Sequence, residues 1–250
     1  MRFRGGPRPG EPFPDFDLPT IDGSRVRKDQ FVGQRPVLVT LGSATCPMTL
    51  SASPALKSLY RDYEDRLAFL TLYVREPHPG DQIRQPRDVE EKFDNARLLQ
   101  RRDDIPWPIA VDGLEGEIHE QLGRHPNAAY LLDIEGRVAY RALWSNAVGS
   151  LRCGIEAVLK GEPAPIGEDR RNAAPILRGL GCLSEAVAAA GPQAERDLLR
   201  HAPPVYVLGK VAGAFKPLPP AGRGLAALAV AAFAVGALWR TFARKEDRDA

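Results

Sequence analysis

The sequence predicts an α/β domain, a central mixed sheet flanked by helices, followed by a C-terminal helical region and one transmembrane helix. Three observations carry this reading. Between residues 30 and 162, short apolar runs alternate with charged helical stretches in the order βαβαβαββα. Residues 163–221 then change texture to Ala, Pro and Gly. Finally, Gly224 to Trp239 carries neither charge nor proline.

Residues 1–29 are dense in Gly, Pro and charge, and Gly10-Glu11-Pro12-Phe13-Pro14 cannot be regular helix, so this part reads as an extended lead-in. Val37 to Leu41, closed by Gly42, has the β-branched apolar character of a buried strand, and residues 53–66 follow as a helix. Leu67 to Val74 is the second strand, and Arg87 to Arg102 a strongly charged helix beyond a loop rich in Pro and Gly. Pro108 to Val111 is a short strand, Glu115 to Leu122 a helix, and Ala129 to Leu132 a strand that turns at Glu135-Gly136 into Arg137 to Leu143. Val148, Leu151, Ile155, Val158 and Leu159 share one helical face, which ends near Gly161. In 163–221, helices are expected around 173–190 and 192–201.

Residues 222–243 read as the transmembrane helix and 244–250 as a charged tail. At about 1.5 Å per residue, Gly224 to Trp239 spans roughly 24 Å, short of a hydrocarbon core of about 30 Å. Snorkelling Arg223 and Arg240 close the gap. The competing reading is a helix packed against a partner. Basic residues flank both ends, so charge does not orient the span. The N-terminus lacks the apolar run of a secretory signal, so the domain is expected on the cytoplasmic face of a single-pass C-terminal anchor.

With 250 residues, 44% of them hydrophobic, the chain can bury a sizeable core. Its net charge of +2 offers no field for nucleic acid. The three cysteines, at 46, 153 and 182, are too sparse for a disulfide scaffold or a metal cluster, and suit a reducing compartment.

Cys46 stands out among them. It follows a buried strand and precedes Pro47, a residue well tolerated at the first helical position, so its sulfur should face unpaired N–H groups. Those donors and the helix dipole are expected to lower the thiol pKa from its usual value of about 8.5. Thr49 stands where a Cys-x-x-Cys motif would have its second thiol, so dithiol exchange at this helix is excluded. Cys153 and Cys182 read as ordinary cysteines, although either could supply a resolving thiol.

Two motifs give the sequence a family resemblance. Gly42-Ser43-Ala44-Thr45-Cys46-Pro47-Met48 resembles the Gly-Ser-Cys-Thr-Sec-Pro-Pro of the iodothyronine deiodinases and their bacterial relatives, in the peroxiredoxin-like branch of the thioredoxin fold. Glu76-Pro77-His78-Pro79-Gly80-Asp81 is similar to their Glu-Ala-His-Pro-Ser-Asp. Ala44, Met48 and Gln82-Ile83 depart from the family pattern, and cysteine replaces selenocysteine. The resemblance covers roughly residues 30–160. It implies a thioredoxin-like fold, a catalytic set of Cys46, Thr45, His78 and Glu76, and substrate contacts at Ser43 and Pro47. It further implies no resident cofactor and no metal, with turnover dependent on an external small thiol or thioredoxin-like reductant.

The leading expectation is therefore a membrane-anchored, thiol-dependent oxidoreductase whose Cys46 attacks a small electrophilic substrate, with a halogen as the atom the resemblance suggests. One rival is a peroxiredoxin-like thiol peroxidase, for which Ser43 resembles the motif hydroxyl while Val39 replaces its proline. The other is a non-catalytic, membrane-held redox sensor. Expected partners are substrate, reductant and lipid along 222–243, with a homodimer open and nucleic acid excluded.

Overall fold

In the computed structural model, which describes residues 2–249, the lead-in carries more order than its prolines suggest. β1 (Asp17–Pro19) and β2 (Arg25–Arg27) pair as an antiparallel hairpin. At three residues each, they are too short to show an alternating pattern. Phe13 and Phe16 anchor this segment by burial against the main sheet.

The main sheet is six-stranded. At its centre, β3 (Val37–Gly42) runs parallel to β4 (Ala68–Tyr73), from Val37 opposite Ala68 to Gly42 opposite Tyr73. Every residue of both strands is buried, as expected of strands covered on both faces. α1 (Pro47–Tyr63) crosses between them, and α2 (Val89–Asp103) leads to β5 (Ile109–Val111) on the far side of β4. After the short α3 (Glu117–Gln121), β6 (Ala129–Leu132) pairs antiparallel with β3. β7 (Val138–Ala142) returns beside it through Gly136, whose φ of +75° suits the tight turn. α4 (Val148–Leu159) follows, and the two-residue β8 (Glu168–Asp169) completes the edge.

Alternation along β3 divides the core. Leu38 points toward α1 and α4, into a layer with Leu59, Phe69, Leu131 and Ile155. Val37, Val39 and Leu41 point the other way, toward Leu70, Tyr130 and the lead-in phenylalanines. α1 begins at Pro47 rather than at 53, because proline at the first position starts a helix, and Pro54 is accommodated inside it.

The C-terminal region is wholly helical: α5 (Ala173–Ala190), α6 (Pro192–His201), α7 (Pro203–Ala214) and α8 (Pro220–Asp249). α7 was not expected. Its opening Pro203-Pro204 resembles a break but serves as a first helical turn. α5 lies along α1 and is itself covered by α7 and α8. α8 runs unbroken through the expected tail as far as Asp249, while Ala250 lies outside the described residues. Phe233, Val235 and Trp239 on this helix are 80%, 66% and 72% exposed.

Candidate active site

β3 ends at Gly42, and residues 43–46 turn the chain into α1. The turn is closed by the Cys46 N–H donating to the Ser43 carbonyl at 3.4 Å. Cys46 occupies the N-cap with an extended backbone (φ −88°, ψ 115°), which aims its side chain at the start of the helix. The N–H groups of Met48 and Thr49 and the Thr49 hydroxyl all favour the thiolate, at geometry short of a full capping hydrogen bond. Burial outweighs them. Cys46 is 2% exposed, packed with Met48, Leu143 and Trp144, so its thiol pKa is raised, and the nearby Glu76 carboxyl adds to the rise. The expected depression of the thiol pKa is thereby corrected: the helix start supplies donors, but the sulfur is shut off from water.

Thr49 sits where a second cysteine would be in a dithiol motif. Its hydroxyl accepts from the Ser43 N–H at 3.4 Å and from Asn127 Nδ2 at 3.0 Å, which leaves its own proton to be given to the sulfur. Asn127, fully buried, is fixed in turn by the Leu41 carbonyl at 3.1 Å and by the Ser145 hydroxyl at 2.8 Å. Neither role was legible in sequence, because Asn127 is 81 positions from Cys46 (127 minus 46) and belongs to no local motif.

The second motif meets the first through Glu76. Its buried carboxyl accepts from the Thr45 N–H at 2.7 Å, the Thr45 hydroxyl at 2.6 Å, the Ala44 N–H at 3.4 Å and the Tyr73 hydroxyl. Burial raises the Glu76 pKa while these donors oppose the rise. With four donors converging on two oxygens, Glu76 is an acceptor that braces the loop. Arg102 braces it from the other side, donating to the Ala44 carbonyl at 2.5 Å.

His78 is tied to the same loop by its backbone, the N–H donating to the Thr45 hydroxyl at 3.2 Å. Its half-buried imidazole makes no hydrogen bond among the described residues, and burial lowers its pKa. Ser43 Oγ is also buried, with no hydrogen-bond partner among the described residues. Pro47 is buried at the helix start. Thus Thr45, Glu76 and the His78 backbone form one hydrogen-bonded unit, and Cys46 follows Thr45 in the chain with its N–H on the Ser43 carbonyl.

Phe3 packs from the lead-in against the Cys46 cluster. Beyond Leu143 and Trp144 opens a cleft of about 470 Å³, also lined by Arg2, Arg4, Arg124 and His125. On the opposite flank, α5 closes over the site. The Trp144 indole donates to Asn172 at 2.8 Å, and Gly179 lies against the Met48 sulfur. The α5–α6 corner carries Ala190, whose carbonyl accepts from Gln82 N–H at 2.9 Å and Ile83 N–H at 3.2 Å. Cys182 is buried in α5 and Cys153 exposed on α4.

The iodothyronine deiodinase family profile matches residues 2–155, which include both motifs, Cys46 and the hydrogen-bonded unit beside it. The chain belongs to the iodothyronine deiodinase family. Thyroxine 5-deiodinase from Gallus gallus is 27% identical over 144 residues, covering 53% of this chain and 55% of that protein. The Rattus norvegicus enzyme is 30% identical over 103 residues, covering 37% of this chain and 34% of its own length. The chain therefore spans about half, or less, of the deiodinases it matches. Among solved structures, a candidate protein disulfide isomerase from Bacteroides thetaiotaomicron aligns at 20% identity with a TM-score of 0.52, covering 64% of this chain and 95% of that one. A conserved protein from Geobacillus kaustophilus aligns at 19% identity and 0.51, covering 67% and 88%. These likenesses establish the thioredoxin-like fold of this deiodinase-family chain. The helices from α5 onward lie beyond the family match.

Proposed function

We propose that the chain is a membrane-held, thiol-dependent oxidoreductase that uses Cys46 to reduce a small electrophile, a carbon–halogen bond being the favoured target. The observation supporting this most directly is the placement of Cys46: an N-cap thiol facing Met48 N–H, Thr49 N–H and the Thr49 hydroxyl, on a loop braced by Glu76. The likeness to deiodinases is what favours a halogen as the atom attacked.

Burial keeps Cys46 protonated at rest, so the reaction needs a base. His78, neutral near pH 7 and without an imidazole partner, is suited to it. The imidazole takes the thiol proton, the thiolate attacks the halogen, the S–X bond forms, and the C–X bond breaks with its electron pair left on carbon. The imidazolium returns the proton to that carbon. An external thiolate then attacks the sulfur, expels halide and gives a mixed disulfide, which a second thiol resolves to regenerate Cys46. Thr45 and Glu76 act as positioning residues, and the exposed apolar surface of α8 would hold the domain at a lipid bilayer.

The test is to incubate the full chain with an aryl iodide and dithiothreitol, measuring iodide release and the mass of the Cys46 peptide. Cys46-dependent iodide release, reduced to background in Cys46→Ser, is expected. Inertness toward the aryl iodide with rapid Cys46 sulfenylation by peroxide would instead select the thiol peroxidase reading. No reaction with either reagent would overturn both.

A further inference from the structure

The cleft beside Trp144 is built by a segment outside both motifs. Arg2 and Arg4 line it, and the segment that carries them is held in place from Phe3 to Pro7. The Phe3 ring sits edge-on to His125 at 5.0 Å, and the Arg141 guanidinium stacks on its face at 4.1 Å. The Arg4 N–H donates to His125 Nε2 at 3.2 Å. Arg141, 4% exposed, donates further to the carbonyls of Gly5, Gly6 and Pro7 at 3.3, 3.1 and 2.9 Å.

This strap brings two guanidinium groups to the cleft. Arg124 at the rim is offset by Glu120 at 2.8 Å, whereas Arg2 and Arg4 have no acidic partner among the described residues. Arg124 also holds a φ of +54°, a left-handed backbone that costs a non-glycine residue energy and keeps the rim in shape. The cleft floor, Leu143 and Trp144, is the same pair that packs on Cys46. Glu120 also lines the cleft, but it pairs with Arg124, so three guanidinium groups face one carboxylate beside Trp144; this excess of positive charge, one side chain away from the thiol, suits a small organic anion.

We infer that the Arg2–Arg4 strap forms an anion-binding subsite that draws a carboxylate-bearing small molecule to Cys46. The inference rests on Cys46 being the working thiol. The carboxylate could belong to the electrophile or to the thiol reductant, and the test has an arm for each.

In the first arm, the full chain is alkylated with iodoacetate or its neutral analogue iodoacetamide. Sulfur displaces iodide, a C–S bond forms and the thiol proton goes to solvent. Mass spectrometry reads Cys46 and, as an internal reference, the exposed Cys153. Two guanidinium groups near the approach path should favour the anion at Cys46 by about tenfold over the Cys153 ratio. That preference should fall toward the reference in Arg2→Gln/Arg4→Gln and in 0.5 M salt, and persist in Arg61→Gln/Arg66→Gln, at the far end of α1. In the second arm, Cys46 is oxidised by peroxide to the sulfenic acid, which a thiol converts to mixed disulfide plus water. Here 3-mercaptopropionate is compared with 2-mercaptoethanol. A strap-dependent carboxylate preference in either arm supports the inference and names the partner that carries the charge. Equal rates for anionic and neutral reagents in both arms overturn it and leave the thiol reading intact. If Cys153 reacts while Cys46 is inert to every reagent, the thiol reading falls and the subsite with it.

Discussion

Two opposed effects meet at Cys46: donors at the start of α1 favour the thiolate, and burial under Trp144, Leu143 and Phe3 disfavours it. Burial wins, so the thiolate population, and with it the alkylation rate, should climb only at pH values above those of an ordinary thiol. Thr49 is the donor most open to test. Thr49→Val removes the hydroxyl, leaving the Ser43 N–H without that acceptor and the Asn127 amide with only its bond to the Leu41 carbonyl. The pH–rate profile for alkylation of Cys46 should move to still higher pH, and the fold should lose about 1–3 kcal/mol for the buried donors left unpaired. Thr49→Ser keeps the oxygen and should restore the wild-type profile. An unchanged profile in Thr49→Val would remove the hydroxyl from the thiol's environment. The sign for stability also follows: a thiol whose pKa is higher folded than unfolded favours the fold fully below the unfolded value. That contribution shrinks as pH rises toward the folded one.

Among the elements, the strand-to-helix turn at Cys46 could be read from sequence, because a buried apolar strand followed by Cys-Pro is a local signal. The Glu76 motif was legible only as a resemblance; its bonding to Thr45 depends on parallel pairing of β3 with β4, a contact across 31 positions. The anchoring of the second motif by α5 and α6 was not legible, since apolar helices in an Ala-rich stretch do not reveal what they cover. The contact is close. Gln82 and Ile83 donate to the Ala190 carbonyl, Asp81 accepts from the Gln193 N–H at 2.9 Å, and Gly191 turns the corner at φ +110°. At Gly80, an added Cβ would lie 2.2 Å from the Ala190 carbonyl oxygen, part of a backbone that cannot rotate away. Gly80→Ala should therefore destabilise the protein by about 1–3 kcal/mol. Hydrogen exchange should show lost protection at the Gln82 and Ile83 amides and retained protection at Leu67, whose N–H bonds within the end of α1. Retained protection at all three would mean that the corner yields without disturbing the motif.

Across the whole molecule, a thioredoxin-like layer carries the thiol, while the appended helices link it to the apolar exposed surface of α8. The linkage is continuous: α8 packs on α5, and α5 packs on α1, whose N-cap is Cys46. Two helices, α5 and the first part of α8, are long and apolar enough to cross a bilayer, but they differ in surroundings. α5 buries Gly179, Cys182, Leu183, Ala186 and Val187 against its neighbours, as a core helix does. α8 instead presents Leu225, Val230, Phe233, Val235 and Trp239 outward. If that surface meets lipid, a charge at its middle should be costly where a charge on a water-exposed helix would be harmless. An arginine at the centre of a spanning helix costs about 2.5–3.5 kcal/mol, so Phe233→Arg should lower partitioning into phosphatidylcholine vesicles by about a hundredfold. Because Phe233 is 80% exposed and remote from the core, thermal unfolding of the redox domain in detergent should be unchanged. Co-flotation of Phe233→Arg with vesicles at the wild-type level would assign α8 to a protein partner instead of the bilayer.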